Sequence, residues 1–203
     1  MKIICIGRNY TEHAKELNNA LPATPVFFMK PESALVRGNL PFFYPAFSND
    51  IHYEGELVLH INKVGKNINQ KHAHTYYDAI GFGIDFTARD LQQHAKQNGL
   101  PWEIAKAFDS SAPVSEFIPI EEIPDLDNIN FSLYKNDVQV QNGYSSQMIF
   151  SFDTIIAYVS RFVTLKMGDL IFTGTPAGVG PVLVGDKLEG YINGKKMILC
   201  NIR

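Results

Sequence analysis

Short apolar runs rich in β-branched and aromatic residues recur along most of the chain, and turn-forming residues separate them. Runs of this length and composition are typical of β-strands, because helices of globular proteins need longer amphipathic segments. The runs cover residues 3–6, 25–29, 56–61, 79–86, 131–134, 170–173 and 196–202. They do not alternate regularly with helical segments, so the pattern predicts a mainly β fold with a few helices, in mixed or antiparallel sheets.

Turn and helix signals divide the runs. Turns are expected at Gly38-Asn39, Asn142-Gly143 and Asn193-Gly194, and the last, between two apolar runs, predicts a β-hairpin. Helices are expected over residues 11–17, from about residue 87 to before Gly99, and from about Ser151. At the first helix, Asn9 followed by Glu12 resembles a capping box.

Composition excludes several classes of protein. A chain of 203 residues that is 45% hydrophobic can bury one sizeable core, so a single domain over residues 1–203 is expected. The formal charge of −3, with acids and bases mixed, argues against a nucleic-acid partner. No apolar run approaches the ~20 residues of a membrane helix, and the opening run is too short for a signal peptide. Cys5 and Cys200 lie near opposite ends, which favours two buried thiols in the reducing cytoplasm over a disulfide.

Three acidic residues carry the strongest chemical signal. Glu54 and Glu56 stand two apart on a predicted strand, so their side chains project from the same face. Two ionised carboxylates side by side are costly in a partly buried site unless a cation lies between them, although a solvated strand face is the plain alternative. Asp85 ends a buried apolar run and also needs a partner. Three oxygen ligands without a nearby Cys predict a site for Mg²⁺ or Mn²⁺ with positions left for water and substrate.

Basic and amide side chains follow this cluster. Arg89 and Gln92, three apart at the start of a predicted helix, could bind a substrate carboxylate, although a surface Arg89 paired with Asp90 or Glu103 is the alternative. Lys106 lies between apolar residues and could either reach solvent or stabilise a developing enolate.

Two further segments carry weaker signals. His13 and Glu16 are three apart on the first predicted helix, where the carboxylate could orient the imidazole and raise its basicity. The glycine-rich run over residues 170–181 lacks the Lys-Ser/Thr ending of a P-loop. We interpret it as a tight turn that brings backbone N–H groups and the Thr175 hydroxyl near a carboxylate.

Taken in order, motifs along almost the whole chain resemble the fumarylacetoacetate hydrolase family. They are Gly7-Arg8-Asn9-Tyr10 with His13 and Glu16, Phe28-Met29-Lys30-Pro31, Glu54-x-Glu56, Asp85-Phe86-Thr87-Ala88-Arg89-Asp90-Leu91-Gln92, Gly99-Leu100-Pro101-Trp102, Lys106-Ala107-Phe108-Asp109-Ser110-Ser111, and Phe172-Thr173-Gly174-Thr175-Pro176-Ala177-Gly178-Val179-Gly180.

The resemblance implies mixed, rolled β-sheets, a homodimer, and Mg²⁺ or Mn²⁺ on Glu54, Glu56 and Asp85. It implies that Lys106 is catalytic and that His13 and Glu16 belong to a lid that positions water or a proton. Arg8, Arg89, Gln92 and Thr175 are the expected substrate-binding residues. The segment after Lys106 is similar to the acylpyruvase and oxaloacetate decarboxylase branch, and the opening strand suggests that the extra N-terminal domain of the tyrosine-degradation hydrolase is absent.

The expected function is therefore metal-dependent cleavage of a carbon–carbon bond in a small 2-oxo or 1,3-dicarbonyl acid, by acylpyruvate hydrolysis or oxaloacetate decarboxylation. Keto–enol tautomerisation of oxaloacetate could use the same site. A metal-binding β-module without catalysis would explain the three acids but not Lys106, Arg89 or the His13–Glu16 pair.

Overall fold

A computed structural model describes residues 1–16 and 20–203, apart from the side chain of Ala14. Four α-helices and five short 3₁₀ helices accompany the strands in these residues. The strands are β1 Ile3–Gly7, β2 Val26–Lys30, β3 Leu35–Val36, β4 Ile51–Tyr53, β5 Gly55–Ile61, β6 Tyr77–Ile84, β7 Thr87–Ala88, β8 Ala112–Pro113, β9 Ile118–Pro119, β10 Asn130–Lys135, β11 Val138–Tyr144, β12 Leu170–Phe172, β13 Gly180–Pro181, β14 Lys187–Ile192 and β15 Lys195–Asn201. The helices are α1 Thr11–Glu16, α2 Arg89–Asn98, α3 Glu103–Lys106 and α4 Phe152–Val159, with 3₁₀ turns at Glu32–Ala34, Gln70–Tyr76, Ile120–Glu122, Leu126–Asn128 and Ser145–Gln147.

The largest sheet has the order β2-β1-β12-β5-β6-β9. Its strands are antiparallel to their neighbours except for β1 and β12, which are parallel. A second, antiparallel sheet has the order β11-β10-β14-β15, and two small sheets join β13-β4-β7 and β3-β8. This arrangement confirms the predicted mainly β fold with mixed sheets and few helices.

Hydrophobic residues on both faces of the large sheet form the core, because side chains alternate along a strand. On β1, Ile4 and Ile6 belong to the larger cluster with Leu57 and Phe82. Ile3 and Cys5 point to the other face and join a smaller cluster with Val58 and Phe172. Burial on both faces keeps the middle of the sheet dry, so polar side chains of these strands are found mainly at the strand ends.

Most of the predicted elements are confirmed. All seven predicted strands are present with ends that lie within two residues of those expected. Asn193 and Gly194 have φ of 48° and 77°, as a type I′ hairpin turn requires. Helix α2 ends at Gly99 in the left-handed conformation, and the Ser151 side chain caps α4. Cys5 and Cys200 are buried, free thiols.

Two local predictions are wrong. Asn142 and Gly143 lie inside β11, and the β10–β11 hairpin turns instead at Asn136-Asp137, both with positive φ. The predicted capping box at α1 is replaced by other contacts. The Asn9 side chain bonds to the backbone of Phe150 and Thr173, while Glu12 pairs with Lys15.

The predicted end of the first helix, at Leu17, lies outside the described residues. Among the described residues, no helix has the length and apolar character needed to cross a bilayer.

Candidate active site

Strand ends from distant parts of the chain meet at one edge of the large sheet. Because β5 and β6 are antiparallel with Gly55 opposite Ile84, Glu54 before β5 lies beside Asp85 after β6. The backbone N–H of Asp85 donates to the Glu54 carbonyl at 2.8 Å, which fixes the two residues together. Strand β12 is antiparallel to β5 and parallel to β1, so Gly174 and Arg8 arrive at the same edge.

Glu54, Glu56 and Asp85 converge there as the sequence predicts. Their exposed fractions are only 5%, 1% and 1%. One carboxylate oxygen from each residue lies within 4.8 Å of those of the other two. Glu56 Oε2 accepts a 2.7 Å bond from the Gly174 N–H, so the glycine-rich loop brings a backbone donor to a carboxylate as expected. Three buried carboxylates with oxygen atoms this close to one another form a candidate metal centre.

The three carboxylates differ in their electrostatic surroundings. Burial raises the pKa of Glu54, but the Lys106 ammonium and the Arg89 guanidinium outweigh burial, and the pKa ends below its usual range. Burial, together with the charges of Asp85 and Glu54, raises the pKa of Glu56 well above its usual range. Among the described residues Glu56 has no ion pair, and burial with two neighbouring carboxylates disfavours its ionised form, a condition that a bound cation relieves.

Lys106 is the buried cation at the centre of the cluster. It ends the short helix α3, which sequence reasoning did not predict. Its Nζ donates to Glu54 Oε2 at 2.8 Å, Asp85 Oδ2 at 2.7 Å and Thr87 Oγ1 at 2.5 Å. Burial lowers the pKa of Lys106, but the charges of Asp85 and Glu54 raise it above its ordinary value, so the ammonium stays protonated. The alternative that Lys106 reaches solvent is wrong.

Lys30 supports Asp85 from the other side and was not singled out as a site residue. It is almost fully buried, and its Nζ is surrounded by the carbonyl oxygens of Phe86, Lys106 and Ser111 and by the Ser111 hydroxyl. The Nζ also lies 2.8 Å from Asp85 Oδ1. That contact has the distance of an ion pair without the angle of a hydrogen bond, and Asp85 Oδ1 accepts no hydrogen bond from the part of the chain that the structure describes.

These observations fit a hard divalent cation. Glu54, Glu56 and Asp85 offer only oxygen donors, which suit Mg²⁺ or Mn²⁺, and neither free cysteine is part of the cluster. Asp85 Oδ1 has an ion-pair contact with Lys30 but accepts no hydrogen bond from the described residues, and Glu56 accepts a backbone bond at Oε2, so both carboxylates keep lone pairs available for coordination.

The four expected substrate-binding residues line one cleft with the carboxylates. The walls of this cleft include Arg8, Arg89, Gln92 and Thr175. Arg89 pairs with neither Asp90 nor Glu103 here. Its Nη2 donates to Glu54 at 2.6 Å and its Nη1 donates to Gln92 at 2.7 Å, whereas its Nε has no acceptor among the described residues.

Thr175 is held mainly by protein partners. Its hydroxyl donates to the Gly55 carbonyl at 2.9 Å and accepts from the Gln141 amide at 2.8 Å. The hydroxyl therefore joins the glycine-rich loop to the backbone between Glu54 and Glu56, and it contacts a carbonyl rather than the carboxylate that we expected.

His13 and Glu16 meet at the mouth of the same cleft. His13 is buried and lines the cleft, and its Nδ1 lies 3.1 Å from Glu16 Oε2. The other carboxylate oxygen of Glu16 accepts from the Gly178 N–H at 3.0 Å. The pair thus joins α1 to the glycine-rich loop and directs the imidazole toward the carboxylates.

Sequence reasoning missed Gln141, Lys96 and Trp102 as residues of the site. Gln141 is buried on β11 and binds Gly55 and the Thr175–Pro176 loop, although it lies 86 residues from Gly55. No local pattern marks it. Lys96 and Trp102 line the cleft, and the position of Lys96 seven residues after Arg89 on one helix was a usable signal.

A mainly β fold with buried carboxylates and cations around one cleft is typical of a small-molecule enzyme, here with a candidate carboxylate metal centre. The family model described as fumarylacetoacetate (FAA) hydrolase C-terminal matches residues 2–201, and the chain belongs to the fumarylacetoacetate hydrolase family.

Relatives and solved structures agree with this assignment. The chain is 44% identical over 192 residues to oxaloacetate tautomerase FAHD1, mitochondrial, of Mus musculus, covering 95% of this chain and 87% of the relative. It is 44% identical over 194 residues to oxaloacetate decarboxylase, mitochondrial, of Dictyostelium discoideum, covering 95% and 89%. Fumarylpyruvate hydrolase from Pseudomonas aeruginosa, solved in complex with Mn²⁺ and pyruvate, is 37% identical with a TM-score of 0.94 and covers 100% of this chain and 89% of that structure. The chain is thus similar throughout to family enzymes.

Proposed function

We propose that this protein is a divalent-metal-dependent enzyme that forms and protonates the enolate of a small 2-oxo acid, with oxaloacetate as the first substrate to test. One observation supports this most strongly: the carboxylates Glu54, Glu56 and Asp85 share a cleft with Lys106, Arg89 and His13, and His13 pairs with Glu16. Hard-cation ligands beside cationic and proton-transferring groups suit an anionic substrate whose reaction develops negative charge on oxygen.

In this proposal Glu54, Glu56 and Asp85 hold the ion. Mg²⁺ or Mn²⁺ bound there would supply Lewis-acid stabilisation of negative charge on a carbonyl oxygen. The relative solved with Mn²⁺ and pyruvate supports the choice of a hard divalent ion and a 2-oxo acid.

Lys106 has the position and charge to stabilise the enolate oxygen. Its ammonium is buried, protonated and held by three oxygen acceptors, so it needs little reorganisation when charge develops nearby. Arg89 and Gln92 bind the substrate carboxylate at the start of α2, where the free Nε of Arg89 remains available as a donor. Arg8 and Thr175 complete the substrate-binding wall.

His13 moves the proton. Glu16 contacts Nδ1 of the imidazole and orients the ring. The other ring nitrogen can then exchange a proton with the substrate carbon or with water. Keto–enol interconversion of oxaloacetate needs a proton moved between C3 and the C2 oxygen, whereas acylpyruvate hydrolysis needs a water activated by the same group.

Tautomerisation of oxaloacetate is the reaction that we favour, because relatives at 41–44% identity from Escherichia coli and Mus musculus carry that name. Carbon–carbon cleavage is the second candidate. The decarboxylase from Dictyostelium and the fumarylpyruvate hydrolase from Pseudomonas support it, and buried His13 with its partner Glu16 is suited to activating water.

The test compares three reactions on one preparation. Chelator-treated protein is assayed with Mg²⁺, with Mn²⁺ and without metal for loss of the enol absorbance of oxaloacetate, for formation of pyruvate and for hydrolysis of acetylpyruvate. We expect metal-dependent loss of oxaloacetate enol as the fastest reaction. Glu56→Gln, which keeps the side-chain shape and removes the charge, is the matched control and should abolish the metal response. Full activity in excess chelator would contradict the metal centre, and faster pyruvate formation or hydrolysis would favour cleavage.

Two further properties are part of the proposal. The family resemblance implies a homodimer, for which light scattering should give twice the chain mass of 22.8 kDa. The two buried free thiols support a location in a reducing compartment such as the cytoplasm.

A further inference from the structure

Helix α2 extends a polar stripe outward from the candidate metal centre. Arg89, Gln92 and Lys96 are separated by three and four residues, so they share one face of the helix, and all three line the cleft. Helical side chains lean toward the N-terminus of their helix, which directs the Lys96 side chain back toward Gln92 and Arg89. The stripe thus continues beyond the residues that contact Glu54.

Lys96 is held in this position by Trp102. Its Nζ lies 5.6 Å from the centre of the indole ring, and Trp102 lines the cleft as well. Lys96 is exposed over much of its surface, but partial burial lowers its pKa, and the positive charges of Arg89 and Arg8 lower it further. Three cations therefore lie close enough to repel one another in one part of the cleft.

Arg8 enters the same cleft from a different element. It follows β1 directly and has a φ of 60°, a left-handed conformation that is costly for a residue with a branched or long side chain. The bond from the Asn9 side chain to the Thr173 carbonyl, at 2.8 Å, anchors this segment to the end of β12. Such local strain is kept where surrounding contacts fix a residue in place, and it occurs often in binding sites.

The inner and outer cations differ in their partners. Lys106 and Arg89 are paired with Glu54 and Asp85 at 2.6–2.8 Å. In residues 1–16 and 20–203, by contrast, no carboxylate forms an ion pair with Arg8 or Lys96. The outer part of the cleft therefore holds uncompensated positive charge, which an anion would neutralise.

We propose that Lys96, together with Arg8, forms a second anion subsite that binds the distal carboxylate of a dicarboxylic 2-oxo acid. The inference rests on the proposed function, in which the first carboxylate and the 2-oxo group lie at the inner end of the cleft. It assigns the substrate class: four-carbon dicarboxylates are bound at both ends, and 2-oxo acids with a single carboxylate are bound at one.

The kinetic test compares a dicarboxylate with a monocarboxylate. Lys96→Met keeps the length of the side chain and removes the charge. We expect it to raise KM for oxaloacetate by about 10- to 100-fold, the effect of losing one charge-assisted hydrogen bond. The kcat for oxaloacetate and both constants for acetylpyruvate should be nearly unchanged. Lys96→Arg should retain most of the affinity for oxaloacetate.

Lys63→Met is the matched control, since Lys63 also lies over an aromatic ring, that of Tyr76 at 4.9 Å, but does not line the cleft. It should leave both substrates unaffected. Equal losses on oxaloacetate and acetylpyruvate in Lys96→Met would overturn the subsite, even if the wild-type enzyme is active.

A binding measurement separates failure of the subsite from failure of the proposed function. Calorimetry of malonate, an unreactive dicarboxylate, with Mg²⁺-loaded protein should show about 10-fold or greater weakening in Lys96→Met, and acetate binding should not change. Weakened malonate binding in a protein that turns over neither substrate would support the subsite and reject the proposed reaction. Unchanged malonate binding would reject the subsite.

Discussion

The charge on Lys106 is set by the three oxygen atoms around its ammonium. Glu54, Asp85 and Thr87 accept its three N–H bonds, and the two carboxylates outweigh the cost of burying the charge. A protonated lysine among acidic residues can stabilise an enolate but is a poor base. His13, whose Nδ1 lies 3.1 Å from Glu16 Oε2, is the residue suited to exchange protons. The site therefore separates charge stabilisation from proton transfer.

This division of roles gives the first prediction. Lys106→Met should slow every enolate-forming reaction, decarboxylation and hydrolysis alike, by roughly 10²–10⁴-fold, the usual effect of losing a positioned catalytic group. His13→Ala should reduce acetylpyruvate hydrolysis more than oxaloacetate decarboxylation, because only hydrolysis needs an activated water. Glu16→Gln should change both in the same direction as His13→Ala. The measurement is kcat/KM on both substrates with metal occupancy checked, and identical ratios of loss in Lys106→Met and His13→Ala would contradict the assignment.

Cys5 and Cys200 support a second prediction. Burial raises the pKa of Cys200 to about 12 and that of Cys5 well above its usual range. At pH 8 the thiolate of Cys200 is then roughly one part in ten thousand, and the thiolate is the reactive form. The native protein should therefore not react with a disulfide reagent such as Ellman's reagent at pH 8. In denaturant two thiols per chain should react at once, whereas no released thiolate would indicate a disulfide.

Residues of the site differ in how well sequence predicts them. Glu54 and Glu56 were found because a strand places residues two apart on one face, and Asp85 because an acid follows a buried run. The role of Lys30 could not be predicted from spacing, since the oxygen atoms around it come from segments 56 to 81 residues away. Only the folded structure shows that Lys30 supports Asp85.

The positions of turns and strands also depend both on local sequence preferences and on tertiary packing. The Asn193-Gly194 turn was predicted because both residues tolerate positive φ, and the structure places them at the β14–β15 hairpin. Asn142-Gly143 has the same local preference, yet it continues β11. A Cβ at position 143 would lie within 3.0 Å of Pro176 and Phe131. The glycine-rich loop that contains Pro176 packs so close to β11 that only glycine fits at this position of the strand. Tertiary packing, not the turn preference, determines the conformation there.

Strand β11 connects the second sheet to the site through Gln141. Its Oε1 accepts from the Gly55 N–H at 2.8 Å, and its Nε2 donates to Thr175 and to the Pro176 carbonyl. Gly55 stands between two of the candidate ligands, and a Cβ on it would lie 3.1 Å from that same Oε1. The amide thus positions the ligand strand and the glycine-rich loop together without itself reaching a carboxylate.

The third prediction concerns Gln141→Leu. The substitution removes the partners of buried backbone groups, and each unpaired group should cost about 1–3 kcal/mol in the free energy of unfolding. Metal affinity should also fall, because Glu54 and Glu56 flank the strand position that Gln141 holds. Urea unfolding and Mg²⁺ titration measure the two effects. Gln139→Leu, on the same strand but exposed, is the control and should change neither. Equal metal affinity in both variants would show that Gln141 supports the fold but not the site.

At the scale of the whole molecule, the site is assembled from segments spread along most of the chain. Arg8 follows β1, the carboxylates lie at the start of β5 and just after β6, Lys106 ends α3, and Gly174 follows β12. These segments meet because the strand order β1-β12-β5-β6 brings four strand ends to one edge. Sequence reasoning could place each residue near a strand end. It could not derive the pairing of β12 with β1 and β5, because those strands lie more than a hundred residues from β12 along the chain.

The last prediction follows from this arrangement and tests the expected single domain over residues 1–203. If the ligands belong to one cooperative unit, metal binding should stabilise the whole chain. At a free Mg²⁺ concentration of one hundred times Kd, binding adds about 2.7 kcal/mol. For a domain of this size each kcal/mol shifts Tm by about 2–4 °C, so calorimetry should show one transition raised by roughly 5–10 °C. Asp85→Asn should still unfold in one transition but with little response to Mg²⁺, because a ligand charge is lost. Two transitions, of which Mg²⁺ moves only one, would show that the residues around the site unfold separately from the rest of the chain.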